Sequence, residues 1–577
     1  MKYRKHLRVL IRHFEKGLET ETTISEIAEL LNCSERHVKT IVNYLDKKGY
    51  LTWKVLRGRG RKPKITLHLT YDAFWMEEAK RNAAEGNYQE AFRIVQGLGR
   101  HAQNDFQVWF YQQLGVSQTK DDVEKLDVLR YPFYETSLAM DPIMIRSRHD
   151  SHMVQQIFER LVEFDPFSEQ LVPKIAHHWE SMDGMRWIFY LRKNVLFHHG
   201  RELKSADVKA TIERLPGNML LKRNLKTIEI PSKTTIVFKL KTIDYLFPRY
   251  FANMATSIVP VDVIRQEGDR FRKYPIGSGP FQLKRHDKEM VRLDVFPNYY
   301  AARPWLDRIE MIMTPDLFQP KENANPFLLN APDDSWKEVR IREEGADYIT
   351  FNCAKDGPVQ ERRFRQLLCQ MIDPQMFCDE KGYEEVATSF LTEKSLQREQ
   401  CPKKIVENIH CDVELKIAAQ QIREGVNHRR EAIILQQQLA EFGISATIDI
   451  LDSNLISNRE AIKTYDLFVG GIALSEDRLL SVLTAIQSTK LTIYPCLTES
   501  MKRSMAQKVA DLQTLRDEED RWKAYFELED FLLSNAVIFF LNHRSHNVYE
   551  PENSLYANIA LDSNGRIDYR HVWKRIH

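Results

Sequence analysis

Hydrophobic residues near the start of the chain recur with the spacing of short amphipathic helices. Two groups of apolar positions, separated by the turn-forming pair Asn32 and Cys33, each line one face of a predicted helix. They are Ile24, Ile27, Ala28 and Leu31 in the first helix, and Val38, Ile41, Val42 and Leu45 in the second. This pattern predicts a helix-turn-helix.

The flanks of this pair carry helix-capping residues and one more amphipathic segment. Thr23 or Ser25 is suited to cap the first helix and Ser34 the second, because their side-chain oxygens can accept hydrogen bonds from free backbone N–H groups. Two helices this short cannot bury a core by themselves. Residues 3–14 are therefore predicted to form a supporting helix that packs through Leu7, Leu10, Ile11 and Phe14.

Two β-favouring runs follow Gly49, which can end the second helix. They cover residues 50–55 and 64–69, and a loop rich in glycine and basic side chains joins them. Together with the helices they predict an α/β winged helix over residues 1–70. Its wing carries Arg57, Arg59, Arg61, Lys62 and Lys64. Such side chains can contact phosphates or the minor groove of double-stranded DNA.

The polar face of the second helix supplies further candidate contacts with DNA, at base edges or phosphates in the major groove. The candidates are Ser34, Glu35, Arg36, Lys39, Thr40 and Asn43. A winged helix can also serve as a protein-interaction module, and a basic loop is often simply solvated. Because basic residues gather on both the wing and the helix, DNA binding is the favoured interpretation.

Charge is distributed unevenly along the 577-residue chain, whose formal net charge is only +2. Residues 1–70 hold 16 Lys and Arg against 7 Asp and Glu, a net charge of +9, whereas the remaining residues carry a net charge of −7. A basic head on an acidic body indicates a contact with nucleic acid or another anionic surface that is confined to the head.

Residues 71–125 are predicted to form a helical connector. The run from Glu77 to Gln96 has small residues around Gly86, Asn87 and Tyr88 and resembles a single tetratricopeptide helix pair. One such pair cannot make a solenoid, which needs about three. The connector is a candidate for dimer contacts, and a winged helix that reads paired half-sites favours a homodimer.

The sequence shows neither an export signal nor a membrane span. The apolar run from Val9 to Ile11 is interrupted by Arg8 and Arg12, and no stretch approaches the roughly 18 apolar residues of a membrane helix. The seven cysteines are scattered and form no CxxC pair, which suits free thiols in a reducing compartment. We expect a cytoplasmic protein without membrane contact.

Residues 126–577 alternate short strands with amphipathic helices, which favours α/β lobes. Several blocks in this region, taken in order, resemble the solute-binding proteins of peptide-type ABC transporters, solute-binding family 5. The blocks include IFERLVEFD, LVPKIAHHW, FHHG, SADV, IGSGPFQLKR, RRFRQLLCQMID, HRREAIILQQQLAEFGISATIDI, YDLFVGG and IDYRHVWK. The resemblance implies a multi-lobe α/β fold, like that of periplasmic binding proteins, that closes around a ligand by hinge motion.

A winged helix followed by such a domain resembles the SgrR family of bacterial regulators. The resemblance implies a multidomain cytoplasmic transcription factor that responds to a small ligand, for example a sugar phosphate or an oligopeptide. The alternative is a cytoplasmic solute-binding protein of a peptide-type ABC system whose N-terminal module docks another protein.

Two departures from the transport receptors bear on the ligand. Where they carry FHDG this chain has FHHG, with His199 in place of the acid, and their GW pair becomes Gly471-Ile472. Glu476 and Asp477, just beyond, could bind the amino group of a peptide, but a solvated helix start is the favoured interpretation of these two residues. A phosphorylated ligand would instead need cationic or N–H donors. Candidates for that role are Arg146, Arg148, His152 and Ser278, each of which also suits plain solvation or hinge structure.

Catalytic and metal-binding motifs are missing from the sequence. It holds no GxSxG, P-loop, HExxH or Rossmann glycine set. The pairs His177-His178 and His198-His199 are not ready chelates, because adjacent residues on a strand point to opposite faces. We expect no metal, no cofactor and no enzymatic activity.

Overall fold

The structure is a computed structural model that describes the chain in several ranges. They are residues 3–56, 61–119, 125–133, 138–145, 147–217, 219–315, 326–328, 336–378, 384–397, 413–423, 426–551, 555–559, 561 and 566–575. The chain divides into two units. Unit 1 is Met1–Ser137, Lys284–Leu293 and Leu306–Pro332, and unit 2 is Leu138–Leu283, Asp294–Trp305 and Asp333–His577.

Helices and strands alternate along most of the chain. The helices, α1 to α17, are Arg4–His13, Ile24–Leu31, Glu35–Lys47, Tyr71–Ala84, Tyr88–Gln96, Arg100–Tyr111, Arg148–Ile157, Ser205–Arg214, Leu220–Asn224, Val261–Glu267, Arg362–Met371, Thr392–Gln397, Arg429–Ala440, Arg459–Thr464, Arg478–Ile486, Glu499–Gln513 and Glu518–Ser534. The strands, β1 to β25, are Thr20–Glu21, Leu51–Lys54, Lys64–Leu67, Gly115–Gln118, Asp127–Phe133, Val162–Asp165, Gln170–Pro173, Ala176–Glu180, Arg186–Leu191, Leu225–Ser232, Thr235–Leu240, Phe281–His286, Met290–Val295, Arg308–Met313, Trp336–Arg342, Gly345–Phe351, Glu384–Val386, Val413–Arg423, Val426–Asn427, Ile444–Asp452, Leu467–Ala473, Ile538–Phe540, Asn542–Pro551, Tyr556–Ala557 and Trp573–Lys574. Among the described residues, no helix has the length and apolar character needed to cross a bilayer.

The winged helix predicted from the apolar pattern is confirmed. Helices α1 to α3 pack the predicted positions into one core, in which Leu7, Val38 and Leu45 are fully buried and Ile24 and Ala28 are partly buried. Thr23, and not Ser25, caps α2, because its Oγ accepts from the Glu26 N–H while the Glu26 carboxylate accepts from the Thr23 N–H. The sequence did not predict strand β1, which pairs with β3 to give an antiparallel sheet of order β1-β3-β2.

The connector is helical only as far as Tyr111. Helices α4 and α5 pack as a pair around the turn at Gly86, whose φ of +80° favours glycine. The predicted helical region is corrected at its end, since Gly115–Gln118 is strand β4 and pairs with β5. The connector segment therefore supplies a strand to the five-stranded sheet of order β12-β13-β14-β5-β4.

Specific contacts hold the connector against this sheet within unit 1. The Gln89 N–H donates to Glu289 Oε2 at 2.8 Å, and Gln89 Nε2 donates to the Met313 carbonyl at 3.0 Å. Met290 and Ile312 of the sheet belong to the same apolar core as the connector helices.

Unit 2 is built from α/β layers, as predicted. One sheet has the order β10-β11-β9-β8, and another has the order β19-β18-β21-β16-β22 with β20 paired to β18. Strands β15, β23 and β17 form a third sheet. The aromatic interior around Phe189, Phe238 and Phe251 is continuous with the buried faces of α15 to α17.

Candidate DNA interface and ligand-contact residues

The exposed face of α3 carries most of the predicted DNA-binding residues. Glu35, Arg36, Lys39, Thr40 and Asn43 are exposed, whereas the apolar stripe between them is buried. Thr40 Oγ1 donates to the Arg36 carbonyl at 3.1 Å. This helix therefore offers charged and amide side chains that are free to extend from its surface.

Ser34 is used by the helix itself. Its Oγ accepts from the His37 N–H at 3.3 Å, which caps α3. A ring cluster that the sequence reasoning missed packs Tyr3 and His6 against α3. In it, Tyr3 lies 5.5 Å from His37 and 5.3 Å from Tyr44, between ring centroids. His6 lies 5.5 Å from His37, and burial and the His37 charge lower the pKa of His6.

Ion pairs occupy two of the predicted wing residues. Lys62 Nζ lies 3.0 Å from Glu26, and Lys64 Nζ lies 3.0 Å from Glu19, which also pairs with Lys54 at 2.8 Å. The Lys62 bond and the cap lower the pKa of Glu26 to about 2. Local sequence patterns could not reveal these pairs, because the partners are 35 to 45 positions apart.

Three wing candidates remain, and they are Arg57, Arg59 and Arg61. Arg57 and Arg59 lie outside the described residues. Arg61 is exposed. In the part of the chain that the structure describes, Arg61, Arg36 and Lys39 form no ion pair with a carboxylate, so these three cations remain available to an anionic partner.

Two of the ligand candidates lie on α7. Arg148 is the exposed first residue of that helix. His152 is buried, and its Nε2 donates to the Ile567 carbonyl at 2.8 Å while its ring meets Tyr569 edge-on. Burial, together with the charge of Arg566, lowers the pKa of His152 to about 4. His152 thus contacts the C-terminal segment, and its role as a ligand contact stays a prediction. Arg146 lies outside the described residues.

Ser278 lies in a glycine-flanked loop, just before strand β12, that packs against the end of α7. An added Cβ at Gly277 would come within 2.0 Å of the Ile157 carbonyl, and one at Gly279 within 2.6 Å of the same peptide group. Ser278 is buried, and among the described residues its Oγ has no hydrogen-bond partner. It remains a candidate for a ligand contact.

The FHHG motif holds this same loop in place. The His198 N–H donates to the Gly277 carbonyl at 2.8 Å, and its Nε2 donates to the Gly279 carbonyl at 3.0 Å. His199 is exposed, 3.8 Å from an oxygen of Asp262. The described residues contain no cluster of three or more His, Cys, Asp or Glu arranged to hold a metal ion.

Asp477 has partners within the protein, and its role as a ligand of a peptide amine stays a prediction. Its Oδ1 accepts from the Leu480 N–H at 3.0 Å and caps α15. Both of its oxygens also bind the Arg249 guanidinium, whose third nitrogen reaches Glu518 at 2.7 Å. Glu476, by contrast, is exposed.

A buried charge network that the sequence reasoning missed links two of the quoted blocks. Arg570, from IDYRHVWK, lies 2.7 Å from Glu163 and 3.4 Å from Glu159, both in IFERLVEFD. Although burial opposes it, the charges of Arg570, Arg160 and Lys174 hold the pKa of Glu163 well below its usual range. Only the two blocks taken together could have signalled this pairing.

A winged helix precedes α/β lobes in which a glycine-flanked loop packs against the end of α7. Together these features define a binding-protein fold with a winged-helix head. The chain belongs to the bacterial extracellular solute-binding proteins, family 5, whose middle-domain model matches residues 170–490. A second model, the N-terminal domain of the sugar transport-related sRNA regulator, matches residues 2–121. The two domains follow one another as in SgrR-type proteins.

Similar proteins agree with this architecture. Uncharacterized protein YhjP of Bacillus subtilis is 26% identical over 97% of each chain. The HTH-type transcriptional regulator SgrR of Yersinia enterocolitica is 29% identical over 62% of each chain, so the match spans less than two thirds of that relative. The structure of HbpA2 from Haemophilus parasuis superposes with a TM-score of 0.61 at 19% identity and covers 78% of this chain and all of HbpA2. That likeness shows the fold alone.

Proposed function

We propose that the protein is a DNA-binding transcriptional regulator whose α/β domain senses a small ligand. The main support for the proposal is the exposed face of α3. Arg36 and Lys39 extend from this face, and the apolar face of the same helix is packed in the core. In a helix-turn-helix this is the helix that enters the major groove. The regulator names of the SgrR relatives support the same assignment.

The cations on the head divide into two groups under this proposal. Arg36 and Lys39 make the principal contacts to bases and phosphates, and Arg61 contacts the backbone from the wing. Lys62 and Lys64 already hold Glu26 and Glu19, so they contribute to DNA binding only if they exchange those partners. Arg57 and Arg59 complete the proposed wing.

The proposed ligand is a small molecule or short peptide taken up by the solute-binding domain, and its binding changes DNA affinity. Closing or stabilising one conformation can shift the DNA equilibrium by a coupling of about 1–3 kcal/mol. Asp477 would bind a peptide amine only by exchanging Arg249, which already contacts both of its carboxylate oxygens. Arg148, Ser278 and Glu476 remain proposed contacts.

The cellular location and the oligomeric state that we propose follow from DNA binding. A chromosomal regulator works in the cytoplasm, and a single winged helix reads a short site, so we propose a homodimer on paired half-sites. The protein needs no catalytic group for this role.

Fluorescence anisotropy with duplex DNA from upstream of its own gene and the neighbouring genes tests the proposal. We expect at least one duplex to bind far more tightly than a scrambled duplex, with affinity falling steeply as salt rises. Equal, salt-insensitive binding to every duplex would overturn it and favour the alternative, in which the head docks another protein.

A further inference from the structure

A half-open pocket of about 290 Å³ lies within unit 2, between two segments that are far apart in sequence. One wall comes from residues between Pro216 and Asn253, and the other from α15 and the residues after it, up to Lys490. Small-molecule sites are typically about 300 to 1,000 Å³, so this pocket suits a ligand of modest size.

The floor of the pocket is apolar. Met219, Leu220 and Leu221 line one side, and Leu480 lines the other. Tyr250 contributes its ring only, because its hydroxyl donates to Asp244 at 2.9 Å and accepts from Gln513 at 2.8 Å. The floor therefore presents apolar surface to a ligand. An alkyl or aryl group bound there would be stabilised by its removal from water.

The rim is cationic. Arg223 and Lys490 are exposed at the mouth, and neither forms an ion pair with a carboxylate in the described part of the chain. The lining residues include no Asp or Glu. Two other polar groups of the lining are already engaged, since Thr484 Oγ1 donates to the Leu480 carbonyl and Gln487 Nε2 to the Leu483 carbonyl. Positive charge is therefore the dominant polar feature of the rim.

We infer that this pocket binds a small amphipathic anion. Its apolar body lies on the leucine floor, and its carboxylate, sulfate or phosphate lies between Arg223 and Lys490. The inference rests on the proposed function only for its regulatory meaning: in a regulator, this pocket would be a second ligand site, because Arg148, Ser278 and Glu476 do not line it.

The pocket walls are also joined by the Arg249 and Asp477 pair. Arg249 precedes Tyr250 in one wall, and Asp477 caps α15, which forms the other. A ligand that touches both walls would stabilise the same packing as this ion pair. Binding here therefore stabilises unit 2 by mass action, in proportion to the ligand concentration.

Isothermal titration calorimetry of the full chain tests the inference with octanoate, 1-octanol and octylammonium as probes. We expect saturable binding of octanoate, at least about tenfold weaker binding of octanol, and none of octylammonium. Equal binding of all three probes, or no binding of octanoate, would overturn the inference.

Two rim variants locate the site. Arg223→Gln and Lys490→Gln should each weaken octanoate binding by about three- to tenfold and leave octanol binding unchanged. Lys222→Gln is the matched control, because Lys222 neighbours Arg223 but donates to the Glu213 carbonyl and does not line the pocket. Octanoate binding that survives both rim changes would overturn the inference.

The anisotropy assay separates the two proposals. Loss of octanoate binding with normal DNA binding counts against the pocket alone. Normal octanoate binding by a chain that ignores every duplex counts against the regulator alone.

Discussion

Arg249 binds both carboxylate oxygens of Asp477, although the two residues are 228 positions apart. Its Nε lies 2.8 Å from one oxygen and a terminal nitrogen lies 2.5 Å from the other. Both side chains are less than one tenth exposed. Charges buried this deeply are stable only when their partners are in place, so the pair fixes the start of α15 against the segment Phe247–Ala252.

Replacing Arg249 by Gln should therefore destabilise unit 2. We expect a loss of about 3 kcal/mol in the free energy of unfolding, because Asp477 and Glu518 would lose their shared cation. Urea unfolding measures the change. Arg265→Gln, at an exposed arginine of α10, should change it by less than about 0.5 kcal/mol. Equal effects of the two substitutions on the free energy of unfolding would show that the buried Arg249–Asp477 pair contributes no more to stability than an exposed arginine.

The α3 surface can be tested one charge at a time. Arg36→Ala and Lys39→Ala should each weaken DNA binding, and each should reduce the slope of log affinity against log salt by about one if the lost contact is to a phosphate. Anisotropy titrations at several salt concentrations give both numbers. Lys226→Ala, at an exposed lysine of β10, should change neither. An unchanged slope for both α3 variants would contradict the assigned interface.

The ion pairs of the wing lead to an opposite expectation for Glu19. Glu19→Gln frees Lys54 and Lys64 from their carboxylate. Nonspecific DNA affinity should therefore rise, and the salt slope should steepen by about one to two. A competition assay with random-sequence duplex measures the effect. A weaker or unchanged affinity would mean that these lysines do not face the DNA.

The helices of the head could be predicted from sequence because their apolar stripes are local, as Val38 and Leu45 show. The roles of Lys62, Lys64 and Asp477 could not, since they depend on partners brought close only by the fold. A carboxylate next to a helix start has the same local pattern whether it caps the helix, binds an arginine or meets a ligand.

Buried His152 should make stability depend on pH. Its pKa is about 4 in the folded protein against a usual 6.5, so the unfolded chain binds more protons between those values. The free energy of unfolding should therefore decrease as the pH falls from 6.5 to 4. At pH 5 the decrease should be about 2 kcal/mol relative to neutral pH. His152→Gln, which keeps a donor for Ile567, should show a smaller loss in urea unfolding at pH 7 and pH 5. His101→Gln, at an exposed histidine of α6, should retain the full loss.

Gly471, the last residue of the block YDLFVGG, has no room for a side chain. A Cβ at Gly471 would lie 2.0 Å from Asp347 Oδ1, and Asp347 is held by Arg544 at 2.6 Å. Gly471→Ala should therefore cost about 3 kcal/mol or more. Gly217→Ala, where the added Cβ meets nothing within 4 Å, is the matched control. Circular dichroism during thermal unfolding distinguishes them, and equal midpoints would contradict the crowding.

Strand β4 also determines where the chain can be divided into fragments. It pairs with β5 along residues 115–118, at the margin of the five-stranded sheet. A fragment beginning at residue 126, where sequence alone places the boundary, would leave the backbone groups of β5 uncovered and open to pairing with another chain. Residues 126–577 are therefore not a structurally independent fragment, and excision or domain exchange at residue 126 would expose a strand edge that favours aggregation.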